Sequence, residues 1–146
     1  MRSVRYIIFF LLMMFLVGMI ASCSRQEQAN LTEPKEVIAF FCGCGGCAQA
    51  VETLGADLVS NAKIYYAGSD GDAQEFQITH HLKRKVEADL NRSIASSYGV
   101  TTCPTFVLSD GSNYRVLGNG LSLTDEDFVS VRKVLSRKFA FKDKTL

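Results

Sequence analysis

The sequence predicts an α/β domain built on a mixed sheet with helices on both faces. The short apolar run at residues 37–41 shows no polar alternation, which is typical of a strand buried on both faces. Apolar residues recur at helical spacing between the predicted strands, as expected for crossover helices. Asp110-Gly111 is a strong two-residue hairpin signal. An antiparallel pair therefore follows the parallel crossovers.

Residues 1–22 have the features of a secretory signal. Arg2 and Arg5 are the only charged residues among the first 24, and residues 6–20 are almost wholly apolar. A positive start followed by an apolar stretch of about 15 residues is typical of an export signal. The stretch is shorter than the roughly 20 residues of a membrane-spanning helix. A permanent N-terminal membrane anchor is the alternative interpretation.

The end of this stretch, Ile20-Ala21-Ser22-Cys23, resembles the lipobox of bacterial lipoproteins. The resemblance implies cleavage before Cys23 and a lipid on that cysteine, with each buried CH₂ contributing about 0.8 kcal/mol to membrane binding. Residues 24–36 are polar and show no helical or strand period. We therefore expect a lipoprotein signal peptide at 1–22 and a lipidated tether at 23–36, facing the periplasm or extracytoplasmic space of a bacterial cell envelope.

The charge of the chain gives no sign of a nucleic-acid partner. The whole sequence has 16 Lys and Arg against 15 Asp and Glu, and removal of residues 1–22 would take away Arg2 and Arg5. The short basic cluster at 80–85 is typical of a solvated helix end, and His80 and His81 within it are expected to be ordinary surface residues. The length after cleavage predicts one domain at 37–140 and a C-terminal tail at 141–146.

The first strand, 37–41, leads directly into the cysteine-rich stretch. Apolar residues after this stretch are spaced as on one helix face, at Cys47, Val51, Leu54 and Leu58. This spacing predicts one helix that reaches Leu58. Cys44 would then lie at the junction of strand and helix, and Cys47 in the first helical turn.

The middle of the chain predicts four further elements. They are a strand at 62–67, a helix at 72–82 with Phe76 and Leu82 facing inward, a short strand at 84–88 and a short helix at 91–98. The strand at 106–108 and a return strand, 114–117, form the hairpin. Thr124 and Asp127 are spaced to cap a last helix, whose core face would be Phe128, Val131, Leu135 and Phe139.

Cys44 and Cys47 form a Cys-x-x-Cys pair. The thiolate is the nucleophile in disulfide exchange, and the unpaired N–H groups and partial positive charge of a helix N-terminus favour it at Cys44. Gly45 and Gly46 allow these amides to approach the sulfur. We expect Cys44 to attack and Cys47 to resolve the mixed disulfide. An inert structural disulfide is the alternative, but the loop that it would close is small, and small loops gain least from closure.

The second motif is Thr102-Cys103-Pro104-Thr105-Phe106, with a proline at the entry to an apolar strand. Together with the Cys-x-x-Cys pair, it resembles the thioredoxin superfamily over about residues 36–138. The resemblance implies a cis Pro104 that faces the cysteine pair, and a substrate groove formed by Cys103, Pro104 and Thr105. The extra piece at about 70–88 is similar to the helix–strand insert of the membrane-tethered TlpA/ResA branch.

The sequence also departs from the thioredoxin pattern. Gly43 replaces the tryptophan before the first cysteine, and Ile38 stands six residues before Cys44, where thioredoxins have a buried Asp. The replacement of that Asp by Ile38 argues against a thioredoxin-like proton relay. Peroxidase activity is not expected, because no Thr-x-x-Cys peroxidatic motif follows Asn61.

Two further cysteines, Cys42 and Cys103, are expected to lie close to the pair, because the resemblance brings the residue before the proline close to Cys44. Four thiols together allow alternatives: a metal site for zinc, Cu(I) or an iron–sulfur cluster formed by Cys42, Cys44, Cys47 and Cys103, or a second disulfide between Cys42 and Cys103. A non-catalytic binding domain is a further alternative.

The preferred interpretation is a lipid-anchored thiol–disulfide oxidoreductase that needs no cofactor. By analogy with the TlpA/ResA branch, it would reduce disulfides in exported proteins. The resemblance also implies a membrane electron donor, such as a transmembrane thiol–disulfide reductase. The direction of electron flow depends on a reduction potential, which the motif does not supply.

Overall fold

The computed structural model describes residues 33–119 and 122–142, with the side chains of 138–142 left aside. In this part of the chain there are five strands and five helices. In chain order they are β1 (Glu36–Phe41), α1 (Gly45–Leu54), α2 (Ala56–Val59), β2 (Lys63–Tyr66), α3 (Asp70–Thr79), β3 (Val86–Ala88), α4 (Ser93–Ser97), β4 (Thr105–Ser109), β5 (Tyr114–Leu117) and α5 (Asp125–Lys142).

The five strands form one mixed sheet in the order β3-β2-β1-β4-β5. The central strand β1 runs parallel to β2 and antiparallel to β4, so that Ala39 pairs with Ile64 on one side and with Phe106 on the other. β3 is parallel to β2, and β5 is antiparallel to β4. The predicted mixed sheet is therefore confirmed. The insert at 70–88 corresponds to α3 and β3, and β3 extends the sheet at the edge of β2.

The larger hydrophobic core lies on the sheet face that α1, α3 and α5 cover. Phe41 is fully buried there and contacts the rings of Phe76 and Phe106, with centroids 5.2 and 5.9 Å away. Val131 and Leu135 of α5 are also fully buried, which confirms two positions of the predicted core face. Phe128 is half-buried, and the side chain of Phe139 lies outside the described part of the chain.

The opposite face carries a smaller core, covered by α4. Ile38 and Phe40 alternate with the β1 residues of the first face and pack here with Tyr65, Ala95 and nearby apolar residues. Phe40 and Tyr65 stack with ring centroids 5.6 Å apart. The predicted arrangement of helices on both faces is thus confirmed.

The predicted single helix from Cys47 to Leu58 is wrong. α1 ends at Leu54, and Gly55 adopts φ 90° before the separate four-residue helix α2 begins. The apolar spacing continues across this break because Leu58 still packs against the main core from α2. Periodicity alone therefore could not reveal the change of direction at Gly55.

The bounds of the helix predicted at 72–82 are also wrong at both ends. α3 begins at Asp70 because Ser69 and Asp72 form a reciprocal capping box, in which the Ser69 hydroxyl accepts the Asp72 N–H. The helix ends at Thr79, so Leu82 lies beyond its last turn although its side chain is buried as expected. The strands predicted at 62–67 and 84–88 and the helix predicted at 91–98 are each shorter than expected.

Several predictions fall on residues outside the described part of the chain. They concern the signal peptide at 1–22, the lipidation site Cys23, the tether up to residue 32 and the tail beyond Lys142. Helix α5 continues past residue 140, where the domain was expected to end. Within residues 33–119 and 122–142, no helix combines the length and the apolar character needed to cross a bilayer.

Candidate active site

Cys44 and Cys47 occupy the N-terminus of α1, just beyond the end of the central strand β1. Cys44 is the N-cap residue, with extended backbone angles (φ −74°, ψ 162°), and its carbonyl accepts the N–H of Cys47 at 2.9 Å. The Cys44 side chain is exposed, whereas Cys47 is fully buried. The predicted positions of both cysteines agree with this geometry. One thiol is open to a partner and the other is protected behind it.

Cys47 is the central sulfur of a three-thiol group formed by Cys42, Cys44 and Cys47. Its Sγ lies 3.4 Å from Cys44 Sγ and 4.0 Å from Cys42 Sγ. The backbone N–H of Cys42 also donates to Cys47 Sγ at 3.3 Å. All three sulfurs lie within 4.8 Å of one another. Cys42 is therefore a direct neighbour of the buried thiol of Cys47.

The loop that contains Pro104 lies across from Cys44. The Cys103–Pro104 peptide bond is cis, and the Cys44 thiol is 3.8 Å from the carbonyl oxygen of Cys103, to which it donates. Gly46 lies against the proline ring, since a Cβ at this glycine would stand 3.3 Å from Pro104 Cδ and 3.8 Å from Cys44 Sγ. A side chain at position 46 would thus crowd the proline ring and lie in ordinary contact with the Cys44 sulfur.

The two thiols of the Cys-x-x-Cys pair differ in acidity. Partial burial opposes ionisation of Cys44, but hydrogen bonds from the thiol and backbone N–H of Cys47 outweigh it and lower the pKa of Cys44. Weaker hydrogen bonds from the Cys42 thiol and the Gly46 N–H act in the same direction. Burial strongly raises the pKa of Cys47. The exposed thiol therefore ionises first, as a nucleophile should.

Cys103 is half-buried and lies beside Cys42, outside the three-thiol group. Burial, followed by its hydrogen bond to Cys42, raises the pKa of Cys103 to about 12, while the positive charge of Arg92 acts in the opposite direction. Three of the four predicted thiols thus form one compact group, and the fourth adjoins it through Cys42.

A groove of about 560 Å³ opens beside the cysteine pair. Gly46, Cys103 and Pro104 line its end near the thiols, and Leu123 and Phe128 contribute apolar surface. Thr105, predicted as a groove residue, does not line it. Its side chain is fully buried, and its hydroxyl donates to the Thr102 carbonyl at 2.8 Å. Thr105 therefore braces the proline loop from inside.

Asn119 also braces the proline loop, and no motif in the sequence pointed to it. Its side-chain oxygen accepts the N–H and the hydroxyl of Thr101 at 2.8 and 2.9 Å. Its amide donates to the Gly99 carbonyl at 2.8 Å. Because it follows Thr101 by 18 residues along the chain, only the hairpin return brings it into place.

Tyr66, at the end of β2, is a second residue that sequence reasoning missed. A Cβ at Gly43 would stand 2.4 Å from the Tyr66 hydroxyl, and Gly43 has φ +73°, a conformation that favours glycine. Burial, followed by the charges of Asp72 and Cys42, raises the pKa of Tyr66. Glycine at position 43 thus allows the tyrosine to lie directly beneath the loop before Cys44.

Comparisons with known proteins give a likeness at the level of structure. No protein-family model matches the chain, and no curated protein matches it. Among solved structures, it is similar to a secreted Mycobacterium tuberculosis disulfide oxidoreductase homologous to E. coli DsbE. The TM-score is 0.53 at 20% identity, covering 75% of this chain and 85% of the other. This likeness confirms the predicted thioredoxin-like fold.

Proposed function

We propose that this chain is an extracytoplasmic thiol–disulfide oxidoreductase that works through Cys44 and Cys47. One observation carries the proposal: an exposed thiol with a lowered pKa stands at the N-terminus of α1, 3.4 Å from a buried second thiol. The likeness to a secreted disulfide oxidoreductase supports both the activity and the extracytoplasmic location.

The first step is attack of the Cys44 thiolate on one sulfur of a partner disulfide. An S–S bond forms between Cys44 and the partner, and the second partner sulfur leaves as a thiolate that takes up a proton. Cys47 then loses its proton and attacks Cys44 Sγ, which releases the first partner sulfur. The products are a reduced partner and a Cys44–Cys47 disulfide, and two electrons have passed to the partner.

The buried position of Cys47 suits the resolving role. Its raised pKa keeps it protonated until the mixed disulfide forms, and its Sγ already lies within 3.4 Å of Cys44 Sγ. Ile38, which stands where thioredoxins have a buried Asp, packs on the sheet face opposite to Cys47. No carboxylate from position 38 therefore serves Cys47 as a base.

The groove beside Pro104 is proposed to hold an extended segment of the substrate. The Cys103 carbonyl lies within 3.8 Å of Cys44 Sγ, so backbone groups of this loop can align a peptide with the reacting sulfur. Leu123 and Phe128 offer apolar contacts farther along the groove. This arrangement suits protein disulfides whose flanking residues are extended.

The physiological direction is proposed to be reduction of disulfides in exported proteins. Cys23 would carry the lipid anchor, and a membrane thiol–disulfide reductase would return electrons to the Cys44–Cys47 disulfide. A redox titration tests the direction: a reductant should have a potential below about −200 mV, nearer to thioredoxin than to DsbA. Palmitate labelling that is equal in the wild type and Cys23→Ala would remove the anchor from the proposal.

Trapping of a mixed disulfide tests the activity itself. With Cys47→Ser, the adduct on Cys44 loses the proposed resolving thiol, and adding Cys42→Ser removes the other thiol of the three-thiol group. Covalent complexes with exported proteins should then accumulate and should be released by dithiothreitol. Cys44→Ser combined with Cys42→Ser, which keeps the buried thiol of Cys47, is the matched control and should form none. Absence of any adduct on Cys44 would refute the oxidoreductase.

A further inference from the structure

Cys42 gives the site a third sulfur that two-thiol disulfide exchange does not need. Its side chain is exposed, and its Sγ lies 4.0 Å from Cys47 Sγ. Together with Cys44 it completes a group whose three sulfurs are all within 4.8 Å of one another. Three soft donors at this spacing form a metal-binding arrangement.

The sulfur separations suit a three-coordinate metal. With metal–sulfur bonds of about 2.3 Å, trigonal planar coordination needs sulfurs about 4.0 Å apart. The observed distances from Cys47 Sγ are 3.4 Å to Cys44 Sγ and 4.0 Å to Cys42 Sγ. Small rotations of the exposed Cys42 and Cys44 side chains would therefore bring the three sulfur–sulfur distances to the same value without a change in the backbone.

The donor set indicates which metal would bind. Thiolates prefer Cu(I), zinc and iron–sulfur clusters. Structural zinc sites are almost always tetrahedral and have four protein ligands. The three-thiol group supplies three sulfurs, and Cys103 does not belong to it. Three sulfurs without a fourth favour Cu(I) over zinc.

We propose that the reduced chain binds one Cu(I) ion through the Sγ atoms of Cys42, Cys44 and Cys47. The ion would enter from solvent past Cys42 and Cys44, which are exposed, and reach the buried Cys47. The N–H of Cys42 donates to Cys47 Sγ at 3.3 Å, a hydrogen bond that orients this ligand and stabilises its thiolate.

Copper binding and disulfide exchange would exclude each other, because both use the sulfurs of Cys44 and Cys47. This part of the inference rests on the proposed function. When a partner disulfide accepts two electrons from the pair, two thiols of the chain become one disulfide and the partner gains two thiols. The Cys44–Cys47 disulfide leaves Cys42 as the one remaining ligand, and the ion is released.

A competition titration tests the site. The full-length chain carries Cys23→Ala to remove the fifth cysteine, is kept reduced in detergent without oxygen, and competes for Cu(I) with the coloured chelator bathocuproine disulfonate. We expect one Cu(I) per chain and three sulfur neighbours by X-ray absorption at the copper edge. Cys42→Ser should weaken binding by at least about tenfold, since even outer-shell changes cost that much.

Cys103→Ser is the matched control, since it removes a neighbouring thiol but leaves the three-sulfur group whole. It should retain one Cu(I), with a smaller loss of affinity than Cys42→Ser, because the serine hydroxyl can still hydrogen-bond to Cys42. Prior oxidation with excess oxidised glutathione should abolish the uptake of Cu(I). Each disulfide that forms in the chain reduces one oxidised glutathione to two thiols. Absence of uptake by the reduced chain, or undiminished uptake by Cys42→Ser, would overturn the proposal.

Two further outcomes would also overturn it. One is copper uptake that is lost equally on Cys103→Ser. The other is stoichiometric zinc binding that depends on Cys103, which would indicate a tetrahedral four-thiolate site. Mixed-disulfide trapping with Cys47→Ser tests the oxidoreductase separately. A chain that forms adducts but takes up no Cu(I) would lose the metal site alone.

Discussion

At the residue scale, Cys44 and Cys47 illustrate how two like side chains three positions apart acquire different chemistry. The N-cap position exposes the Cys44 sulfur to the amides of the first turn of α1, and Cys47, the third residue of that turn, lies in the main core. The apolar spacing from Cys47 to Val51 and Leu54 predicted the buried position of Cys47, because residues three and four apart share one face of a helix.

Alkylation kinetics should reveal the difference. The pKa of Cys44 is lowered from its ordinary value of 9.0. The rate at which iodoacetamide alkylates Cys44 should therefore rise with pH, and the midpoint of this rise should lie below pH 9.0. Cys47 and Cys103 should remain slow throughout this range, since burial raises both pKa values. Mass spectrometry of the reduced protein after brief labelling measures each site, and a Cys44 midpoint at or above 9.0 would contradict the expectation.

The two glycines between the cysteines should not be equivalent. A Cβ at Gly45 meets nothing within 4 Å, so Gly45→Ala should stabilise α1 by up to about 1 kcal/mol through helix propensity. A Cβ at Gly46 would stand 3.3 Å from Pro104 Cδ. Gly46→Ala should therefore displace the proline loop and slow reduction of a protein disulfide severalfold, because small misplacements at a reacting centre are costly.

Urea unfolding and steady-state rates of the two variants, measured side by side, check this contrast. Equal rates for Gly45→Ala and Gly46→Ala would show that the contact with Pro104 does not influence exchange. The sequence shows two identical glycines, so the distinction between them is a product of the fold.

At the element scale, the apolar runs and the hairpin dipeptide were sufficient to predict the sheet, the strand order along the chain and the position of the cysteine pair. The break at Gly55 was not predictable, because the apolar spacing from Val51 to Leu58 continues through it while the backbone turns. Thr105 was misassigned because a motif gives the position of a residue in a loop but not the direction of its side chain.

Asn119 holds the loop before Pro104 through three side-chain hydrogen bonds to Thr101 and Gly99. Asn119→Ala should destabilise the domain by about 0.5–1.5 kcal/mol, the usual net contribution of a hydrogen bond that water can replace. It should also raise KM for a protein disulfide, because the groove wall would lose its support. Urea unfolding and initial-rate measurements test both effects.

Asn113 offers the matched control within the β4–β5 hairpin. Its side chain makes a 3.5 Å hydrogen bond to Asp110, and it does not line the groove. Asn113→Ala should therefore leave KM unchanged. A KM that does not rise with Asn119→Ala would show that the loop keeps its shape without this asparagine.

At the scale of the whole molecule, the sheet separates two cores of unequal size. The main core joins β1 to α1 and α5 and encloses Cys47, whereas the second core lies under the five-residue helix α4. The helix that carries Cys44 thus packs on the more heavily covered face of the sheet, and the buried thiol of Cys47 is a part of that core. Its protonation is therefore coupled to folding.

This coupling predicts a loss of stability in alkali. Above pH 9.0 the unfolded chain releases protons from its thiols, while Cys47 and Cys103 in the folded chain still hold theirs because burial raises their pKa values. The folded state then binds more protons than the unfolded state, so the free energy of unfolding falls as pH rises. The loss is at most about 1.4 kcal/mol per pH unit for each thiol before solvent screening reduces it.

Comparison of the reduced wild type with Cys103→Ser isolates one of these thiols, because lysine and tyrosine titrations are common to both proteins and cancel. The pKa of Cys103 is raised to about 12, so between pH 9 and 11 the wild type should lose stability more steeply than the variant. Below pH 8 the two curves should run parallel. Urea unfolding across this range measures the difference, and parallel curves up to pH 11 would show that Cys103 ionises as freely in the folded chain as in the unfolded one.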